Sequence, residues 1–144
     1  MSSPNEPYQD LILRHHRQPK HYGKLDPADL YAKGLNPLCG DEIEVFAQKQ
    51  QQTLQEITFL ANACSIAKAS ASLMTVMLKG QSYEDAARIT EQFNNALTAK
   101  DFVLPENEFW QEVRIFLGVK QYPARIRCAL LAWITLAKAM GESP

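Results

Sequence analysis

Three cysteines and one aspartate are the residues with most chemistry to offer, and their contexts differ. Cys39 and Asp41 stand two apart in Asn36-Pro37-Leu38-Cys39-Gly40-Asp41, a turn sequence leading into a strand. In an extended segment, residues two apart point to one side, so this thiol and carboxylate can converge on one ion. Gly40 relaxes the backbone between them and leaves access. Cys64 falls where a strand-like run gives way to a helical one. A helix N-terminus offers partial positive charge and unpaired N–H groups, and both favour thiolate over thiol. The run after it, Ala67 to Ser72, is rich in small residues. Small side chains let another element pack close, which is also all the run need mean by itself. Cys128 ends Pro123-Ala124-Arg125-Ile126-Arg127-Cys128. Two arginines within a turn can stabilise a thiolate or bind an anionic partner; the plainer alternative is a surface charge pair beside a buried cysteine. Should the three cysteines meet, the site is three thiolates and a carboxylate. Soft thiolates select zinc, copper(I) or iron–sulfur species, and four tetrahedral ligands suit zinc. Spacing does not establish that they meet, because a free cysteine is by default a small buried hydrophobe.

The surrounding pattern says what must position these residues. Residues 7–18 carry Leu11, Ile12 and Leu13 and stop before Pro19, a short helix. Residues 20–38 hold Gly23, Pro27, Gly34 and Pro37 and read as loop with room for one strand. Ile43, Val45 and Ala47 alternate with Glu42, Glu44 and Phe46, and a second run alternates through Ile57, Phe59 and Ala61. With the glutamine-rich stretch 48–52 as their loop, the two runs make a β-hairpin. After Cys64 the period becomes helical. Ile66, Ser70, Leu73 and Met77 share a face that ends at Gly80. Ser82 and Asp85 suggest a capping box for a helix with Ala86, Ile89, Phe93 and Leu97 inward. Pro105 can open a third helix, with Phe109, Val113, Phe116 and Leu117 as its stripe and Gly118 as its end. The last helix begins near Pro123 and carries Ile126, Leu130, Trp133, Ile134 and Met140, with Trp133 in the core. Strands first and helices after give an α+β fold: a small antiparallel sheet with helices on one face and the metal site at one end.

Composition narrows the function. One domain spanning 1–144 is expected from 144 residues. Fifteen basic residues face sixteen acidic ones, so there is no basic surplus of the kind that phosphate-driven nucleic-acid binding requires. The longest apolar stretch, Cys128 to Ala137, is half of a membrane span, and Met1–Glu6 has no apolar core of a secretory signal. Three cysteines with no close pair suit a reducing compartment. The expectation is a cytoplasmic protein without nucleic-acid or membrane partners.

Taken together, the motifs resemble the U-type iron–sulfur assembly proteins: IscU, SufU and the N-terminal domain of NifU. The resemblance runs through Ile12-Leu13-Arg14-His15-His16-Arg17-Gln18-Pro19, Asn36 to Asp41, Ala63 to Met74, Leu78-Lys79-Gly80-Gln81 and Pro123 to Trp133, nearly the whole chain. Three features are closer to the SufU branch. Residues 105–121 match that branch's extra segment before the third cysteine. Arg127 stands where scaffold members usually have histidine, and the Leu-Pro-Pro-Val-Lys chaperone-docking run is missing.

The resemblance implies that Cys39, Asp41, Cys64 and Cys128 bind zinc, with iron or a [2Fe–2S] cluster as the alternative. It also implies that a SufS-type cysteine desulfurase is the partner, a histidine of which replaces Cys39 on the metal. Cys39 is then the catalytic sulfur acceptor, and Arg125 orients Asp41 or the partner. Downstream cluster-assembly proteins would receive the product. His15, His16 and His21 read as surface or desulfurase-contact residues rather than ligands. The chain departs from the family at Ala61 and Ala63, where glycines are usual, and at Lys68. Three functions compete: a zinc-dependent sulfur acceptor, a scaffold that builds and passes on a [2Fe–2S] cluster, and a regulatory partner with purely structural zinc. Arg127 and the 105–121 segment favour the first.

Overall fold

A computed structural model describes residues 6–141. Met1–Asn5, on which part of the expectation of a cytoplasmic chain rests, lie outside the described residues, as do 142–144. The elements are α1 (Glu6–Arg17), β1 (Leu30–Asn36), β2 (Asp41–Gln50), β3 (Thr53–Asn62), α2 (Ser65–Leu78), α3 (Tyr83–Thr98), α4 (Gln111–Phe116) and α5 (Ile126–Ala139). The three strands form one antiparallel sheet in the order β1-β2-β3.

The alternation through 43–47 and 57–61 marks the inner face as expected. Ile43, Val45, Ala47, Ile57 and Phe59 are all buried, and Val45 pairs with Phe59. Phe46, assigned to the outer face, is buried there too, against Tyr31 at 5.1 Å. Gln48–Gln50 continue β2, so the turn is only Gln51-Gln52 and the loop is shorter than the composition suggests.

α2 and α5 lie on the inner face, and two devices bring them close. Residues Ala67 and Ala69 to Thr75 of α2 are buried nearly all round, so the stripe through Ile66 understates how enclosed this helix is. Ser70 Oγ donates to the Ala129 carbonyl at 2.6 Å and accepts from Trp133 Nε1 at 3.0 Å, pinning α2 to α5. Trp133 stacks on Phe93 of α3 at 4.1 Å, in the core as expected. The second device is Gly34, which faces Leu131 and Thr135 of α5. A Cβ there would overlap Thr135 Oγ1 and stand 3.2 Å from Leu131 Cδ1, so the missing side chain sets the distance between helix and sheet.

Three expectations are corrected. The helix expected from Pro105 to Gly118 is not one helix. Asn107, not Pro105, caps a 3₁₀ turn at Glu108–Trp110, followed by α4 and a second 3₁₀ turn at Leu117–Gln121. Arg114 explains the delayed start: its guanidinium donates to the carbonyls of Pro105 and Asn107 at 2.6 and 3.0 Å, holding that chain open. Phe109, placed in the buried stripe, is exposed, and Trp110 is buried in its stead. Ile134 of α5 is likewise exposed. Ser82 does cap α3, accepting from Asp85 N at 3.0 Å.

Candidate metal centre

The site lies where the β1–β2 turn meets the N-termini of α2 and α5. Asn36 and Asp41 pair across the turn, and Pro37–Gly40 lie between them. Cys39 and Asp41 converge, but not through an extended segment. Gly40 has φ +72°, a left-handed conformation that glycine adopts without strain. With the Cys39 N–H bonded to Asn36 O at 3.3 Å, the chain folds the thiol back over Asp41. Two residues along β1 from Gly34, and one turn back along α5 from Leu131, Asn36 meets Cys128: Nδ2 to Sγ is 3.6 Å.

Ligand atoms of Cys39, Asp41 and Cys128 all lie within 4.8 Å of one another. Cys128 Sγ is 3.6 Å from Cys39 Sγ. Two sulfurs bound to one tetrahedral zinc at about 2.3 Å each would be about 3.8 Å apart, so this pair fits such an ion. Cys64 stands at the edge of the group. Its N–H donates to Asp41 Oδ1 at 2.9 Å, and its Sγ is 3.9 Å from Oδ2. That sulfur caps α2 by accepting from Ala67 N at 3.4 Å. The expected position at a helix N-terminus is therefore found, and the sulfur both caps the helix and faces Asp41 and Cys128.

Exposure is graded across the cluster: Cys39 is exposed, Cys64 half-buried and Cys128 wholly buried. Burial pushes the Cys128 thiol far above its ordinary pKa, and its hydrogen bonds with Asp41 and Cys39 push it the same way. A buried thiolate therefore needs a compensating positive charge, which a metal ion supplies. Exposed Arg125 supplies some of it: a hydrogen bond with Cys128, then the charges of Cys64 and Cys128, raise its pKa. This sets Arg125 beside the thiols of Cys128 and Cys64.

Asn36 was missed by reasoning from the sequence. It is buried and donates weakly to Asp41 Oδ2 at 3.4 Å as well as facing Cys128. The signal was available: an amide at the end of a strand, two residues beyond inward-facing Gly34. His15 corrects the surface reading of the histidines. It is 4% exposed on the face of α1 that also buries Tyr8 and Leu11. Its Nδ1 is 2.7 Å from Ser72 Oγ and its Nε2 3.2 Å from Glu112 Oε1. His21 is bonded through Nδ1 to Thr75 Oγ1 at 2.9 Å. Lys68 sits 5.0 Å above the Tyr22 ring, whose hydroxyl bonds both backbone groups of Ala61. Among the described residues no helix is long and apolar enough to cross a membrane.

The family model described as "NifU-like N terminal domain" matches residues 7–142. The chain belongs to the NifU-like N-terminal domain family. Within that family, it is 31% identical over 143 residues to "Iron-sulfur cluster assembly scaffold protein IscU" of Streptococcus pyogenes, covering 99% of this chain and 88% of that one. It is 30% identical over 135 residues to "Zinc-dependent sulfurtransferase SufU" of Bacillus subtilis, covering 94% and 90%. Among solved structures, a candidate cluster-assembly scaffold protein for the SUF system from Fervidobacterium islandicum superimposes with a TM-score of 0.84. It is 26% identical, with 96% of this chain and 99% of that one covered. The α+β architecture is thus the family's fold.

Proposed function

We propose that this NifU-like chain serves iron–sulfur cluster assembly as a zinc-dependent sulfur acceptor for a SufS-type cysteine desulfurase, with Cys39 as the acceptor. The carrying observation is the exposure gradient: of three neighbouring thiols, the turn between β1 and β2 presents Cys39 to a partner and keeps Cys128 sealed. Zinc held by Cys39, Asp41, Cys64 and Cys128 would keep the thiols deprotonated. The Cys39 thiolate attacks the outer sulfur of the desulfurase persulfide. That S–S bond breaks, its electron pair leaves on the desulfurase cysteine, and a new S–S bond forms on Cys39, with no net oxidation. Asp41, Cys64 and Cys128 would hold the zinc while Cys39 reacts, and Asn36 donates to the Asp41 carboxylate. The sulfur then passes to downstream cluster-assembly proteins. We assign this chemistry to the cytoplasm, a reducing compartment in which thiols stay free.

The two identities above are alike, so the SufU reading rests on particular residues. Arg127 is exposed where a histidine would mark the scaffold branch, and the 105–121 segment packs beside α1. The similarity to IscU and the buried Asp41 favour the second reading, a scaffold for a [2Fe–2S] cluster. Desulfurase turnover separates the two, measured as alanine released from cysteine with and without the zinc-loaded protein. The acceptor reading expects a large stimulation that Cys39→Ser abolishes. An active cognate desulfurase left unstimulated would favour the scaffold.

A further inference from the structure

The Cys128 thiol donates to the Cys39 sulfur across 3.6 Å. The two sulfurs belong to different elements, Cys39 to the turn between β1 and β2 and Cys128 to the first turn of α5. A disulfide sets its sulfurs about 2.05 Å apart, so joining this pair takes a shift of about 1.5 Å. The turn is the part placed to make that shift. Its ends are held where Asn36 pairs with Asp41, while Cys39 is exposed and its neighbour Leu38 is 75% exposed. Cys128, by contrast, has no exposed surface. An accessible sulfur poised beside a second thiol is the arrangement of a cysteine that oxidises reversibly. Cys64 is set differently. It is half-buried, its sulfur caps α2 through Ala67 N, and it lies outside the group gathered within 4.8 Å.

We propose that Cys39 and Cys128 form a modification site, a reversible disulfide made when hydrogen peroxide reaches the metal centre. The Cys39 thiolate attacks one peroxide oxygen and the O–O bond breaks. The other oxygen takes up a proton from solvent and leaves as water, and Cys39 becomes a sulfenic acid. The Cys128 sulfur then attacks the Cys39 sulfur and the S–O bond breaks. The proton that Cys128 directs at Cys39 leaves with the hydroxyl as a second water. Two thiols are thereby oxidised by two electrons, and one peroxide is reduced to two waters. With two of its four thiol and carboxylate groups joined, the site no longer holds zinc, and no thiolate is left at position 39 to take up sulfur. The disulfide rests on the geometry of the pair; its consequence for sulfur transfer rests on the sulfur-acceptor reading.

The test treats metal-free and zinc-loaded protein with hydrogen peroxide, removes the excess with catalase, alkylates the free thiols and weighs the peptides of a digest made without reductant. Released zinc is read with a colorimetric chelator. The expected result is an intact chain lighter by two hydrogens, a Cys39 peptide linked to a Cys128 peptide, an alkylated Cys64, and one zinc released per loaded chain. A dithiol reductant should restore both thiols and zinc binding. Cys64→Ser should form the same link, and it should fold because serine is itself a preferred helix cap. In Cys128→Ser the oxidation should stop at a Cys39 sulfenic acid that dimedone captures. A link through Cys64, a link between two chains, or a Cys39 carried to sulfinic acid while Cys128 stays alkylatable would overturn the proposal. Reduced zinc-loaded protein that stimulates the desulfurase, with no disulfide after peroxide, would overturn this proposal alone. A disulfide as expected in a protein that never stimulates an active desulfurase would overturn the acceptor function and leave the modification site standing.

Discussion

Replacing Cys39 and Cys128 by serine in turn should give two different proteins, although the sulfurs are only 3.6 Å apart. Cys39 is exposed on a turn, with its sulfur facing Cys128. Exposed substitutions of this kind stay within about 0.5 kcal/mol of wild type. Cys128 has no exposed surface, and its polar neighbours include Asn36, Asp41, Cys39, Cys64 and Arg125. A serine there buries a stronger hydrogen-bonding group on a shorter bond, further from Asn36 Nδ2 than the 3.6 Å of the sulfur. A buried polar group left poorly paired costs about 1–3 kcal/mol. A chain of this size loses about 3–5 °C of melting temperature per kcal/mol. Cys128→Ser should therefore melt about 3–15 °C below wild type, and Cys39→Ser within about 2.5 °C. The melts belong in chelator-treated protein, followed by circular dichroism, so that metal ligation does not add to the difference. An equal fall in both variants would refute the division between a presented and a sealed thiol, and with it the special role given to Cys39.

Gly34→Ala should cost about 1–3 kcal/mol by overpacking; because α5 carries Cys128, zinc bound per chain should also fall. A variant with full zinc content and an unchanged melting temperature would show that the sheet and α5 have room to separate. For His15, burial is the first cause of a lowered pKa, opposed by Glu112 and reinforced by Arg14 and Lys20. The unfolded chain then takes up a proton at about pH 6.5 that the folded chain resists, so stability falls as pH drops from 7 towards 5. His15→Gln should flatten that slope in melts across the range, leaving the part owed to His21, whose pKa shifts the same way. An unaltered slope would remove His15 from the account.

Much of this fold was legible because burial is one-sided where the sequence alternates. The 43–47 and 57–61 runs carried the hairpin. β1 was only hinted at, since Gly34 leaves a gap in its pattern that α5 fills from outside. The 105–121 segment misled because a proline suited to opening a helix is followed by two carbonyls that Arg114 holds away from one. At the site, the residue types named all four thiol and carboxylate groups, of which the structure gathers Cys39, Asp41 and Cys128 within 4.8 Å and sets Cys64 at its helix N-terminus beside them. They could not reveal that the Cys64 sulfur caps that helix, because capping depends on a side-chain rotation that spacing does not encode. His15 was misread for a related reason. Its partners, Ser72 and Glu112, are 57 and 97 residues away in sequence, so only the helix face shared with Tyr8 and Leu11 announced it.

The central claim is that sulfur lands on Cys39. Zinc-loaded protein incubated with its desulfurase and cysteine, without reductant, can be digested and each cysteine peptide weighed. The account predicts one added sulfur atom on the peptide holding Cys39, and none on those holding Cys64 or Cys128. Sulfur on Cys64 or Cys128 in its place, or on no cysteine while the desulfurase turns over, would contradict it.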